Sequence, residues 1–240
     1  MGSDQQASAT RRRPGPRRIL SEEVIVAAAL RLLDERGAEA VSIRGIAAEL
    51  GVAPNALYTY FPDKAAVLRT LVDRLIGEHD AEALADVGRP WRERVHELAL
   101  GLRARLLAHP GAAALLLGAP MDGPQALLLG ERLFALLAEA GLDDDVAVHA
   151  GYVLIVYILG AIALEAAELD PARPAPPEAE RIAARRAGFA ALPADRYPRT
   201  AAGADTIAAY IGTGQFRWGL ERVLDGLTHP DSAGRRSRAL

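Results

Sequence analysis

The stretch LGVAPNALYTYFPDK, residues 50–64, places Tyr58, Tyr60 and Phe61 within four positions. The whole chain of 240 residues has only 12 aromatic side chains, and Lys64 is its one lysine beside 27 arginines. The local pattern is one of short helices. Ser42 can cap a helix whose Ile43, Ile46, Ala47 and Leu50 point inward, and Gly51 sits where that helix must stop. Ala53-Pro54 opens another helix, since proline is tolerated in a first turn. Pro62-Asp63 breaks it, and Asp63 caps a fourth helix through Ala65, Leu68, Leu71 and Leu75. Upstream, Ser21 caps a longer helix. Glu22 and Glu23 sit at its positive dipole end, Val24, Ala27, Ala28, Leu30 and Leu32 form its apolar face, and Gly37 closes it.

Two short helices joined at a glycine, after a longer one, form the pattern of a helix-turn-helix. In that motif the second helix enters the DNA major groove and its N-terminal residues meet the bases. Here that helix spans 54–60. Asn55 can pair with adenine, and Pro54 and Ala56 are small enough to touch a thymine methyl. A tyrosine hydroxyl reaches phosphate, and a lysine ammonium binds phosphate as a point charge. A DNA backbone therefore accounts for rings and ammonium gathered in one segment.

Charge agrees mildly. The net charge is −3, but residues 1–70 carry 10 positive and 8 negative side chains. Arg11, Arg12, Arg13, Arg17 and Arg18 stand against one acid, Asp4, before residue 19. With Pro14, Gly15 and Pro16 among them, residues 1–20 read as a disordered basic arm. Such an arm is either a solvated terminus or a segment that lies along DNA and releases counterions. The chain has no cysteine, which excludes disulfide and thiol chemistry and fits a reducing cytoplasm. No apolar signal segment opens it. Val146 to Leu164 is apolar for 19 residues, broken only by His149. Its flanks are acidic and no Lys or Arg anchors them, so it reads as a buried helix, often one between subunits, and not a membrane span.

The rest is also helical. Trp91 to Leu107 carries an apolar stripe, and Pro110, Pro120 and Pro124 punctuate the next segment. Leu127 to Ala140 forms a helix ended by Gly141. Asp143 to Asp145 start the long apolar helix. DPARPAPP, residues 170–177, is a loop, and Glu178 to Ala191 is weakly amphipathic. Pro193 to Pro198 breaks the chain before a final helix, and residues 229–240 read as a disordered tail. No strand alternation or internal repeat occurs. Enzyme motifs are missing: there is no Gly-x-Ser-x-Gly, phosphate loop or His-x-x-x-His pair, and the five histidines are scattered.

The run VSIRGIAAELGVAPNALYTYFPDKAAVL, residues 41–68, resembles the DNA-binding segment of the tetracycline-repressor (TetR) family. The match is carried by Ser42, Arg44, Ile46, Ala47, Leu50-Gly51-Val52, Leu57-Tyr58, Phe61 and Lys64. The resemblance implies that Ser42 and Lys64 contact phosphate and that Tyr58 and Tyr60 flank the backbone. Arg44, Pro54, Asn55 and Ala56 would face bases, with Thr59 completing the DNA-binding set. Leu57, Phe61, Ile46 and Leu50 would hold the motif together.

Residues 90–228 resemble the tetracycline-repressor subclass more loosely, through WRERVHELALGLRARLLAHPG, LGAIALEAAE, DRYP and FRWGLERVLDGL. The resemblance implies an all-α fold of about ten helices. A helix-turn-helix domain, 21–68, would precede an effector-binding and dimerisation domain, 69–228. Helices at 144–169 and 204–228 would pack against their twins as a four-helix bundle, giving a homodimer on a palindromic operator.

The implied effector is a hydrophobic small molecule, aromatic or polycyclic. The expected pocket residues are Leu102, Leu106, Leu116, Met121, Leu133, Leu137, His149, Tyr152, Val153, Val156 and Trp218. The subclass holds tetracycline through magnesium, with a histidine near a glycine in its sixth helix. The matching run GAAALLLG, residues 111–118, has no histidine, although Glu165 falls where the subclass has an acid. No metal, cofactor or tetracycline chelation is expected. The function implied is a ligand-released repressor in the cytoplasm, partnered by double-stranded DNA and by no membrane. An activator or effector-independent regulator of the same fold stays open.

Overall fold

The computed structural model describes residues 20–77, 88–116, 120–170, 173 and 175–228. The arginine-rich stretch 1–19, the tail 229–240 and residues 117 and 118 of the GAAALLLG run lie outside them. Among the described residues every regular element is an α-helix. The helices are α1 (Glu22–Arg36), α2 (Ile43–Leu50), α3 (Pro54–Leu57), α4 (Lys64–Gly77), α5 (Trp91–Ala108), α6 (Pro110–Leu116), α7 (Pro124–Glu139), α8 (Asp144–Ala166), α9 (Glu178–Ala190), α10 (Pro198–Ala202), α11 (Ala204–Ala208) and α12 (Thr213–Leu227). The all-α expectation holds, with twelve helices among the described residues where the sequence suggests about ten.

The helix expected from Leu127 starts at Pro124, the one expected to 169 ends at Ala166, and two further differences have a clear physical reason. The α3 helix stops at Leu57 rather than Tyr60. The carbonyl of Leu57 accepts from both Tyr60 N–H at 3.0 Å and Phe61 N–H at 2.9 Å, so Tyr58 to Tyr60 form a closing turn. Pro62 follows at once and disfavours helical backbone at Phe61. The final helix, expected over 204–228, is broken into α11 and α12. Side chains of α9 take up the backbone groups left free at the break. Arg185 donates to Ala208 O at 2.7 Å and to Ile211 O at 2.6 Å, while Glu178 accepts from Thr213 N–H at 2.9 Å.

Near the N-terminus, α1, α2, α3 and α4 share one core. Leu32, Leu33, Ile46, Leu57 and Val67 are almost fully buried, and Phe61 is 4% exposed. Burying each such side chain contributes about 1.5–3 kcal/mol. α4 also packs on α7, so it is shared between the reading motif and the larger helical body.

That shared helix is tied down by polar groups. α7 begins at Gly123-Pro124 with no side-chain cap of its own. Asp73 of α4 caps it from outside, accepting from Gln125 N–H and Ala126 N–H, both at 3.0 Å. A side chain at 123 would put its Cβ 2.2 Å from Asp73 Oδ1, so glycine is required for the approach. Arg105 of α5 donates to the carbonyls of Leu75 and Ile76, at 3.2 and 3.5 Å, at the other end of α4. His109 Nδ1 lies 2.8 Å from Asp34 Oδ2, joining the end of α5 to α1.

The Asp73 cap makes a stability prediction. Asp73→Ala should cost about 1 kcal/mol, the usual worth of a lost N-cap, read as a lower urea midpoint. Asp73→Asn keeps an acceptor without the charge and should lose less.

Candidate nucleic-acid interface and ligand cavity

The reading motif is held from within and open outside. Ser42 caps α2 by accepting from Gly45 N–H at 3.0 Å. Gly51 ends α2 in the left-handed region, φ 67° and ψ 32°, which glycine adopts without penalty. Gly45 is fixed by space: a Cβ there would lie 2.5 Å from the backbone oxygen of Ala40. With Ile46, Leu57 and Phe61 buried beneath, Arg44, Pro54, Asn55, Tyr58, Thr59 and Tyr60 are exposed, while Ser42, Ala56 and Lys64 are half-buried. All nine expected DNA-binding residues thus keep some access to solvent within the α2–α4 segment.

Their hydrogen bonds distinguish them. Lys64 Nζ donates to Ala38 O at 3.1 Å, fastening the α1–α2 turn. An ammonium has three donors, so two remain for a phosphate. Ser42 uses its oxygen as an acceptor and keeps its proton to donate. The Tyr58 side chain is 55% exposed and has no hydrogen-bond partner among the described residues. Tyr60 differs: its hydroxyl donates to Leu20 O at 2.7 Å. Its single proton is committed, and a phosphate oxygen needs a donor. The sequence treats the two tyrosines alike, and the geometry separates them. Asp63 Oδ1 accepts from Ala66 N–H at 2.7 Å and caps α4, which begins directly after the motif.

The eleven expected pocket residues divide into three groups. Leu102, Met121 and Leu133 line a wholly apolar cavity with Ile76 of α4 and Ile155 and Ile158 of α8. Its volume is about 20 Å³, too small for any drug-sized ligand. Leu106, Leu116 and Leu137 are buried in the core without lining it. His149, Tyr152, Val153, Val156 and Trp218 are exposed, Tyr152 by 70% and Trp218 by 60%. They lie on the outer faces of α8 and α12 because the inner turns of α8 use Ala147, Ala150, Gly151, Leu154, Ile158 and Ile162 for the core. α8 is long and apolar enough to cross a membrane by length and composition, but its burial is shared with α5, α6, α7 and α12. A larger cleft, about 390 Å³, lies between α1, α4 and the start of α7, and Glu22, Glu23, Asp73 and Arg74 line it.

Glu165 is not free to hold a metal. It is 2% exposed, and Arg103 meets it in a fork, Nε to Oε2 at 2.9 Å and Nη2 to Oε1 at 2.8 Å. Arg181 adds a third bond at 2.8 Å. A carboxylate with two guanidiniums on it is neutralised, which lets it stay buried. Glu178 extends the network to Thr213, whose hydroxyl donates at 2.7 Å, and to Arg103 at 3.4 Å. Arg185 pairs with Glu168 and anchors the other end of α9. α9 itself buries no residue, so these ion pairs hold it. Sequence reading missed Gly45, Asp73, Glu178 and the Tyr60 anchor. One signal was available: a helix starting Gly-Pro, whose N-cap position is a glycine with no side-chain acceptor, needs a cap from elsewhere.

A fold of this kind, with an exposed helix-turn-helix on a helical body, defines a DNA-binding regulator. Residues 25–71 match the model of the bacterial regulatory proteins of the tetR family. Residues 85–230 match that of the tetracyclin repressor-like C-terminal domain. The chain belongs to the TetR family of bacterial transcription regulators, and is a regulator rather than an enzyme.

Among its relatives, an HTH-type transcriptional regulator of Saccharopolyspora erythraea is 34% identical over 176 residues, 72% of this chain and 74% of that protein. The HTH-type transcriptional repressor DrrR1 of Streptomyces coeruleorubidus is 32% identical over 231 residues, 91% of this chain and 82% of that protein. Similar solved structures include a possible TetR family regulator from Streptomyces coelicolor A3(2), with 32% identity and TM-score 0.72 over 86% of this chain and 98% of that one. Streptomyces coelicolor ActR in complex with actinorhodin has 25% identity and TM-score 0.70 over 90% of this chain and 100% of that one. BioQ with its natural double-stranded DNA operator has 26% identity and TM-score 0.61 over 88% of this chain and 99% of that one.

The network sets a pH dependence. Burial alone would raise the Glu178 carboxyl, but two hydrogen bonds from Thr213 and the Arg103 charge outweigh it and hold the group below its ordinary value. A depressed carboxylate stabilises the fold above the unfolded value, about 4.3, and that contribution is lost as pH falls through the lower folded value. Stability should therefore fall on acidification below about pH 4.3. Glu178→Gln should be less stable than wild type at pH 7, with the gap closing at acid pH, as read from urea midpoints across pH.

Proposed function

We propose that this chain is a cytoplasmic homodimeric repressor that binds a palindromic operator and is released by a hydrophobic small molecule. The observation that carries the reading is the surface of the helix-turn-helix. Arg44, Pro54, Asn55 and Tyr58 are exposed over a fully buried Leu57, which presents their side chains together at the start of the recognition helix, where base and phosphate contacts are made. Arg44, Pro54, Asn55 and Ala56 face bases. Ser42, Tyr58, Thr59 and Lys64 face phosphates, and the Tyr60 ring flanks them. Residues 21–68 form the reading domain and 69–228 the effector-binding and dimerisation domain. The DNA-bound BioQ structure and the repressor DrrR1 support this assignment.

The effector enters the apolar seam between α5, α7 and α8. Ile76 of α4 is part of that wall, so widening the seam for a ligand displaces the helix that carries the reading motif. Release then follows if the ligand prefers the state with the wrong spacing of reading heads. The ActR complex with actinorhodin supports a small-molecule effector in this fold. For dimerisation the support is the outer face of α8, where Val148, Tyr152, Val156 and Leu164 are all at least 50% exposed, together with Trp218 of α12. Apolar surface of this extent marks an interface.

A mobility shift with DNA from upstream of the protein's own gene tests the reading. The wild type should bind with Kd on the order of 10⁻⁸ M or tighter at moderate salt. Tyr58→Ala with Lys64→Ala should weaken binding to every sequence alike and reduce the salt slope by about 1. Failure of the wild type to select any duplex from genomic fragments would sink it. For the dimer, Tyr152→Glu with Trp218→Glu should give a folded monomer by light scattering, with operator affinity lost. A dimer persisting in that variant would place the interface elsewhere.

A further inference from the structure

The side of α8 turned away from the apolar seam carries a second cavity. Tyr157, Ala161 and Leu164 recur at i, i+4 and i+7 and so share one stripe, whereas Ile155, Ile158 and Leu159 line the seam. With Tyr210 from the break before α12, and Gln215 and Phe216 from its first turn, the stripe lines a space of about 190 Å³, against about 20 Å³ in the seam. The chain has 12 aromatic residues, and three of them meet here. Each ring is already held. Tyr157 and Phe216 stack with centroids 6.0 Å apart, and the Tyr157 hydroxyl donates to Phe216 O at 2.9 Å. Arg103 lies 5.6 Å over Phe216, and Arg185 lies 5.6 Å over Tyr210. Walls fixed in advance lose little freedom when the space between them is filled.

We infer that this cavity is a second small-molecule site, separate from the seam, and that it takes an uncharged aromatic of one or two rings bearing a hydroxyl group. Size sets the ring count. An apolar cavity of about 150 Å³ holds benzene, so 190 Å³ admits one ring or two fused ones and falls short of the space a drug-sized ligand needs. Charge sets the class. Glu165 lines the cavity but is not free to attract a cation. Arg103, Arg181 and Arg185 stand against Glu165, Glu168 and Glu178 in the network beside it, so no charge of either sign is left over. Burial pushes the Tyr157 phenol up, which keeps that wall neutral as well. The unspent groups are polar and uncharged: the Gln215 amide and the Tyr210 hydroxyl make no hydrogen bond among the described residues, and both residues are exposed at the mouth. A ring inside with its hydroxyl at the mouth meets both demands. Such a site is independent of the DNA-binding reading.

Equilibrium dialysis of the full chain against phenol and 2-naphthol, each read by its own fluorescence, tests the site. Both should bind. The anion 2-naphthoate should bind at least about tenfold more weakly than 2-naphthol, because no group is free to pair its charge. Ala161→Phe puts a ring into the cavity and should abolish binding while circular dichroism stays that of the wild type. Gln215→Leu, at an exposed position, should weaken 2-naphthol about threefold to tenfold, the range one neutral hydrogen bond gives, and leave naphthalene unchanged. A wild type that binds neither phenol nor 2-naphthol overturns the inference. Binding of 2-naphthol at wild-type strength to folded Ala161→Phe overturns it too, and places the ligand in the seam. Equal loss of 2-naphthol and naphthalene in Gln215→Leu overturns the role of the hydroxyl. Leu164 at the mouth also belongs to the outer face of α8 proposed for dimerisation. Binding by the Tyr152→Glu, Trp218→Glu protein and not by the wild type therefore overturns the inference in favour of a second copy filling the cavity.

Discussion

The carboxylate of Asp73 joins the two halves of the molecule. α7 starts without a cap, and its first free N–H groups turn toward α4. Four unsatisfied donors at a helix end demand partners. At α7 Pro124 has no N–H to satisfy, and one carboxylate from the neighbouring helix accepts from the next two, Gln125 and Ala126, and also complements the positive end of the α7 dipole. The same arrangement recurs at α12, whose first N–H donates to Glu178 of α9. It recurs in reverse at α4, whose last carbonyls accept from Arg105. At these three ends the backbone is satisfied across helices rather than within one. A helix capped this way cannot shift along its axis without breaking the bond at its neighbour. In the proposed release mechanism, movement in the apolar seam is thereby carried to α4, and from α4 to the motif that precedes it.

This division explains what the sequence discloses. The helix-turn-helix was legible because its caps are local: Ser42, Gly51 and Asp63 each act within a few residues of themselves. The long apolar α8 was legible by composition, although its faces were not. The exposed residues Tyr152 and Val156 and the buried Leu154 and Ile158 are equally apolar, so no periodic signal separates core from outer face. That is why the sequence groups residues of the outer face with the cavity. The break between α11 and α12 was hidden for a different reason. Its backbone partners, Arg185 and Glu178, lie more than 20 residues upstream, and no local pattern encodes a bond at that distance. Tyr60 was legible as unusual, since aromatic residues are scarce, but its partner Leu20 is 40 residues away.

The arginine-rich composition fits this design. Arg103 and Arg185 each make three or more directed contacts, to carboxylates, carbonyls and a hydroxyl. A guanidinium offers five donors in a rigid plane, whereas an ammonium offers a compact charge on a flexible stem. Crosslinks between helices need the former. The single lysine stands where a planar fork is not required: Lys64 Nζ reaches one carbonyl and leaves two donors for a partner.

The reading head is therefore organised before any DNA arrives. Ser42 is held by Gly45, Lys64 by Ala38 and Tyr60 by Leu20, while Tyr58 and Asn55 project from a turn closed on the Leu57 carbonyl. Each of these bonds removes conformational freedom that binding would otherwise have to remove. Association costs entropy for every side chain it immobilises, about 0.5–1.5 kcal/mol each. A surface immobilised in advance loses less on contact. It also makes affinity depend on where these side chains stand, because side chains this constrained cannot follow a misplaced groove. For the proposed repressor, small displacements of α4 are then enough to separate a bound state from a released one.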